Sequence, residues 1–120
     1  MTEPQIRIEI EGTPPSLNKW MRWHWTVQQQ VKKDWAWLIL AACLAAKIGR
    51  PRIKQAIVRI TLAFPTTRRR DTDNYAPKVI MDGLVNAGVI QDDRADWVNV
   101  SWRFIKGPAK KTIIEIQEAQ

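Results

Sequence analysis

Residues 26 to 48 read TVQQQVKKDWAWLILAACLAAKI, and the second half of that stretch leaves a folded chain few options. Val27, Val31, Trp35, Leu38, Ala42 and Ala45 recur at helical spacing and form one apolar stripe. Trp37, Ala41, Leu44 and Ile48 form a second stripe in the C-terminal half. The pattern predicts a helix from about Thr26 to Ile48, stopped by Gly49 and Pro51, with Lys47 in the last turn where the helix dipole favours a cation. A helix half that is apolar on nearly all sides must be covered on nearly all sides. In a small domain a sheet covers one side, so the other is expected to meet a second subunit. The alternative cover is the tryptophan-rich segment just before it.

The rest of the chain supplies the sheet. Ile6, Ile8 and Ile10 alternate with Arg7, Glu9 and Glu11, the pattern of a half-buried strand over residues 5 to 11. TPPSLNKWMRWHW reads as a loop, punctuated by two prolines. A second strand is expected over 56 to 64, with Ala56, Val58, Ile60, Leu62 and Phe64 on one face and Pro65 at its end. After a loop, Pro77 suits the first turn of a helix, where its missing N–H costs nothing. That helix runs to about Ala87, with Ile80, Leu84 and Ala87 inward and Gly88 as its cap. Strands over 97 to 105 and 112 to 116, joined by the KGPAKK turn, read as a hairpin. The expected fold is α/β or α+β: one mixed sheet of about four strands and two helices, in the order β-α-β-α-β-β, with residues 1–120 as one domain. A chain of 120 residues buries roughly two thirds of its unfolded surface, enough for one core.

Composition removes several classes of function. Apolar residues make up 45% and charged residues 26%, which is globular rather than disordered. Cys43 alone makes no internal disulfide, and with the lone His24 it is too few for a zinc site. The start, MTEPQIRIEI, alternates and is no signal peptide, and the run from Trp35 to Ala46 is too short to span a bilayer. A cytoplasmic protein with no membrane partner is expected. Net charge is +7, unevenly spread. From Asp71 to Asp96 the balance is −4, and the remainder carries +11. Such a body suits a polyanion, through phosphate contacts that ignore sequence. The acidic island would repel that partner unless a divalent cation offsets it.

The island opens at RRRDTDN, residues 68 to 74. Asp71 and Asp73 are two apart, so in an extended segment both point to one side, with alpha carbons roughly 6.5 Å apart. Asp92 and Asp93 follow the short helix, whose length of roughly 15 Å leaves them within reach of the first pair once the next strand folds back. Converging carboxylates and a phosphate are what Mg²⁺ takes as ligands. Two such ions, roughly 3.5–4 Å apart, stabilise both oxygens in phosphodiester cleavage. Each pair alone also fits an ordinary solvated turn. An EF-hand reading of DTDNYAPKVIMD fails at Tyr75, Ala76 and Asp82. Lys78, beside a helix start, is suited to bind or protonate a phosphate oxygen, or else forms a surface pair with Asp82. Arg68, Arg69 and Arg70 offer planar forks for phosphate, or compensate the neighbouring acids. Trp20, Trp23 and Trp25 interleave with Lys19, Arg22 and His24, a pattern for stacking on unpaired bases or for a lid on the core.

RRRDTDN, a lysine near a helix start, VIMDGLVNAGVIQDD and the early TPPSLN segment together resemble the RusA-type Holliday junction resolvases, from residue 5 to about 117. The resemblance implies a homodimeric, Mg²⁺-dependent endonuclease that nicks opposing strands of four-way junction DNA during recombination and repair. It implies that Asp71, Asp73 and Asp93 form the metal site, that Lys78 is the essential lysine and that Arg70 contacts DNA, with Asn74 after the second aspartate as in the family pattern. Arg68, Arg69, Lys19 and Arg22 join the DNA-contacting set. One departure stands out: the segment from Asp73 to Lys78 is one residue longer than in the best-known member of the family, while Lys78 to Asp82 keeps its spacing. The residues themselves leave Asp92 against Asp93 open. The competing functional class is a non-catalytic DNA-binding accessory of recombination, and a third is a dimeric scaffold with solvated charges.

Overall fold

The structure, a computed structural model, describes residues 6–66 and 78–119. Four strands, β1 (Ile6–Glu11), β2 (Ala56–Phe64), β3 (Val98–Lys106) and β4 (Lys111–Glu118), form one sheet in the order β1-β4-β2-β3. β4 runs antiparallel to both β1 and β2, and β3 runs parallel to β2. Among the described residues three helices accompany them: α1 (Leu17–Arg22), α2 (Trp25–Ala45) and α3 (Lys78–Asn86). The mixed α+β sheet agrees with expectation. The helix count does not, because the segment read as a loop contains α1, with Ser16 capping it by accepting the Lys19 N–H at 3.3 Å.

The expected β3–β4 hairpin is also not formed. β4 enters the sheet between β1 and β2, so the turn after β3 passes over the end of β2. Gly107 donates its N–H to the Phe64 carbonyl at 2.9 Å, and a Cβ there would stand 3.3 Å from that of Ala63. The sequence of β4 fits a central strand. Ile114 and Ile116 are fully buried and Ile113 is half-buried on the other face. On the open face, Glu9 accepts from Lys111 at 2.7 Å and Arg7 at 3.0 Å, and these bonds hold its carboxyl below the usual range.

The core forms where one sheet face meets α2 and α3. Ile8, Ile10, Val58, Ile60, Leu62, Ile114 and Ile116 line the sheet side, and Ile39, Ile80 and Leu84 the helix side. The buried face of α2 is Trp35, Ile39 and Cys43, one residue per turn. That corrects the predicted stripe, since Val27 and Leu38 are exposed along with Ala45. The other predicted stripe leaves Trp37 and Leu44 at 68% and 66% exposure, so the segment before α2 does not cover it. α2 also stops earlier than expected. Lys47 adopts φ 57°, and Ile48 N–H reaches back to the Cys43 carbonyl at 2.9 Å, so the reversal precedes Gly49.

Candidate active-site groove

Two helix faces meet edge to edge to make a groove. On α2, Gln29, Lys32, Lys33 and Ala36 share one face by their three- and four-residue spacing. On α3, Asp82, Val85 and Asn86 do the same. The loop residues Asp92 and Asp93 also line it, and this open cleft has a volume of about 470 Å³. The helices come this close because α3 has glycine where they cross. A Cβ on Gly83 would lie 2.5 Å from Ile39 Cδ1 and 3.5 Å from the Ala36 Cα.

The chain delivers Asp92 and Asp93 to the groove by a series of local locks. α3 ends with Gly88 at φ 75°, Gly88 N–H on the Val85 carbonyl and Val89 N–H on that of Leu84, the paired bonds of a left-handed helix stop. Gly88 is therefore the cap that the sequence suggested. Val89 and Ile90 are fully buried, and Ile90 bridges to Ile53 in parallel, with Gln91 N–H on the Ile53 carbonyl at 2.9 Å. Beyond the acids, two cations approach the Trp97 ring, Arg94 at 4.5 Å and Lys54 at 4.8 Å from its centroid. Arg94 also grips Asp96 with two bonds, at 3.1 and 2.9 Å. Within the loop, Asp92 Oδ1 accepts the Asp93 N–H at 2.8 Å. Asp92 is half-buried and committed to that turn, whereas Asp93 is exposed and has no ion-pair partner among the described residues.

Lys78 is the first residue of α3, exposed at its N-terminus. It shares the helix face of Asp82, Val85 and Asn86, one turn beyond Asp82 or about 6 Å along the axis. The alternative reading of Lys78, a surface pair with Asp82, is not found among the described ion pairs. Asp82 instead meets Lys32 of α2 at 3.6 Å. Lys19 and Arg22 are exposed on α1, beside Met21 and Trp25, which are 73% and 65% exposed. Trp20 does not join them: it packs on the core, its ring tilted against Trp23 at 6.4 Å, and Gln28 of α2 donates to its carbonyl at 2.7 Å. His24 caps α2 by accepting the Thr26 N–H. Arg68, Arg69, Arg70, Asp71, Asp73 and Asn74 lie outside the described residues. Among the described residues no three acids, histidines or cysteines gather to hold a metal, so Asp92 and Asp93 are at most part of a ligand set.

The sequence model of the family described as Endodeoxyribonuclease RusA matches residues 2–117 of this 120-residue chain. The chain belongs to the RusA endodeoxyribonuclease family. Among curated proteins no significant match to it is found. Membership makes it a DNA-cutting nuclease fold, from a family that acts on Holliday junctions with a divalent metal. No helix among the described residues is long and apolar enough to cross a membrane. The carboxylates at the groove suit such a hard cation, since ionised oxygens are what it binds. In this RusA-family chain, sequence reasoning missed Gln29, Lys32 and Lys33. Their shared spacing is visible in the sequence, but only the α2–α3 contact reveals that they face Asp93.

Proposed function

We propose that the chain is a Mg²⁺-dependent, structure-specific endonuclease of the cytoplasm that resolves Holliday junctions by paired nicks, acting as a homodimer through one catalytic domain spanning residues 1–120. The observation that carries this reading is Asp93, free of ion pairs among the described residues, lining a groove whose α3 wall is Asp82, Val85 and Asn86, on the helix that Lys78 opens. Asp71 and Asp73 would complete the ligand set with it. Chain length permits this. Asp73 and Lys78 are five residue steps apart, a reach of up to about 16–18 Å. Lys78 stands about 12 Å along the helix from Asn86, which lines the groove together with Asp92 and Asp93.

When bound, the ion supplies an activated water and neutralises charge on the departing oxygen. The residues of the chain do the rest. Asp92 holds the turn that presents Asp93. Lys78 offers its ammonium to the phosphate or to the leaving oxygen from the helix N-terminus. Arg68, Arg69, Arg70 and Asn74, with Lys19 and Arg22 of α1, hold the DNA backbone. The dimer reading is supported by Trp37 and Leu44, large apolar side chains left open on the outer side of α2. Two subunits give two sites, as paired nicks require.

The test is a synthetic four-way junction incubated with and without Mg²⁺. The proposal expects symmetric nicks from the wild type only with the metal, and binding without cutting by Asp73→Asn. Binding without cutting by both proteins would leave a DNA-binding accessory module instead.

A further inference from the structure

The groove has a basic wall to which the cutting chemistry gives no task. Lys32 and Lys33 of α2 face it together with Gln29, opposite Asp92 and Asp93. We propose that this groove is the channel for the DNA strand being cut, and that Lys32 and Lys33 are its phosphate-binding wall. The inference rests on Asp93 marking the place of cutting.

Charge is the first argument. Asp82, Asp92 and Asp93 line the same groove, so a phosphate approaching Asp93 meets repulsion before any contact is made. The two ammonium groups on the facing helix are the fixed charges positioned to offset it. Shape is the second. Ala36 and Val85, both half-buried and free of charge, are the apolar lining between the walls, a surface against which sugar edges can lie. The state of the two lysines is the third. Lys33 is exposed and has no ion pair among the described residues, so it is free to take a phosphate. Lys32 stands 3.6 Å from Asp82, beyond the 2.7–2.9 Å of a strong charge-assisted bond, so an arriving phosphate can compete for it. With Gln29 as a neutral donor, the wall is an i, i+3, i+4 face presented along about one turn of helix.

The experiment measures affinity for a synthetic four-way junction in EDTA, where nothing is cut, over a range of NaCl concentrations. Removing one lysine–phosphate interaction should flatten the log–log salt slope by about 0.9. Lys33→Gln should flatten it by about that amount, and the double change Lys32→Gln, Lys33→Gln by about twice as much. Lys32→Arg keeps the charge and should keep the slope. Arg59→Gln is the control, because Arg59 lies exposed on the sheet face away from the helices. An unchanged slope in Lys33→Gln and the double variant, or an equal flattening in Arg59→Gln, overturns the proposal. A wild type that binds but never cuts would instead sink the nuclease reading and leave this measurement intact.

Discussion

Cys43 retains only 3% of its surface in contact with solvent, and burial pushes its thiol above the ordinary value. A buried neutral thiol is inert, because only the thiolate attacks. Native protein at pH 8 should therefore react with an aromatic disulfide reagent only as fast as it unfolds, with full reaction in urea. Prompt reaction in the native state would contradict the burial. The raised value also carries a sign: its contribution to stability is present at neutral pH and is lost as pH rises past the ordinary thiol range. Other single residues were legible to different degrees. Gly88 could be read as a helix stop because glycine tolerates the required left-handed backbone. Lys47 could not, because a lysine in that conformation is held there by the backbone bonds that close the helix and leaves no mark in composition. The sequence left Asp92 against Asp93 undecided, since adjacent aspartates differ only in what each touches, and the 2.8 Å bond to Asp92 Oδ1 is set by the folded loop.

Between elements, the α2–α3 crossing controls the groove. Gly83→Ala gains about 1 kcal/mol of helix propensity. Against that, its Cβ meets Ile39, a fully buried side chain, at 2.5 Å, and overpacking of a tight core costs about 1–3 kcal/mol. The clash should win, with a net destabilisation of about 1 kcal/mol in urea unfolding; a gain in stability would mean that the crossing has room to spare. Element existence was readable from periodicity, which registers burial on one face. Sheet order was not, because both a hairpin and a crossover satisfy the same alternation in β3 and β4. The extra isoleucine at Ile113 was the one sign that β4 lies inside the sheet. α1 was missed for a related reason. Its six residues have no fully buried position, and Leu17, Trp20 and Met21 make an apolar repeat of barely more than one turn beside two prolines, too short to mark a helix.

At the scale of the whole molecule, charge and exposed apolar surface make separate demands. The open side of α2 should join two subunits, so Trp37→Glu with Leu44→Glu should yield monomers by light scattering at micromolar concentration, while the wild type is a dimer. A monomeric wild type would remove that reading. The acidic island within a basic body was plain from the sequence, yet the groove that gives it a geometry joins residues 29 to 36 with 82 to 93, and only the fold brings those together. In the proposed mechanism cutting turns on one carboxylate of that groove, Asp93. The most direct measurement is the rate of four-way-junction cutting in Mg²⁺ by Asp93→Asn beside Asp92→Asn, with binding followed in EDTA. As a metal ligand, Asp93 should cost more than about 10³-fold in rate when neutralised. Asp92, acting through the turn, should cost about 10–100-fold, and both variants should bind the junction like the wild type. If Asp93→Asn cuts within tenfold of the wild type, or Asp92→Asn proves the more damaging change, the assignment of Asp93 to the cutting centre is wrong.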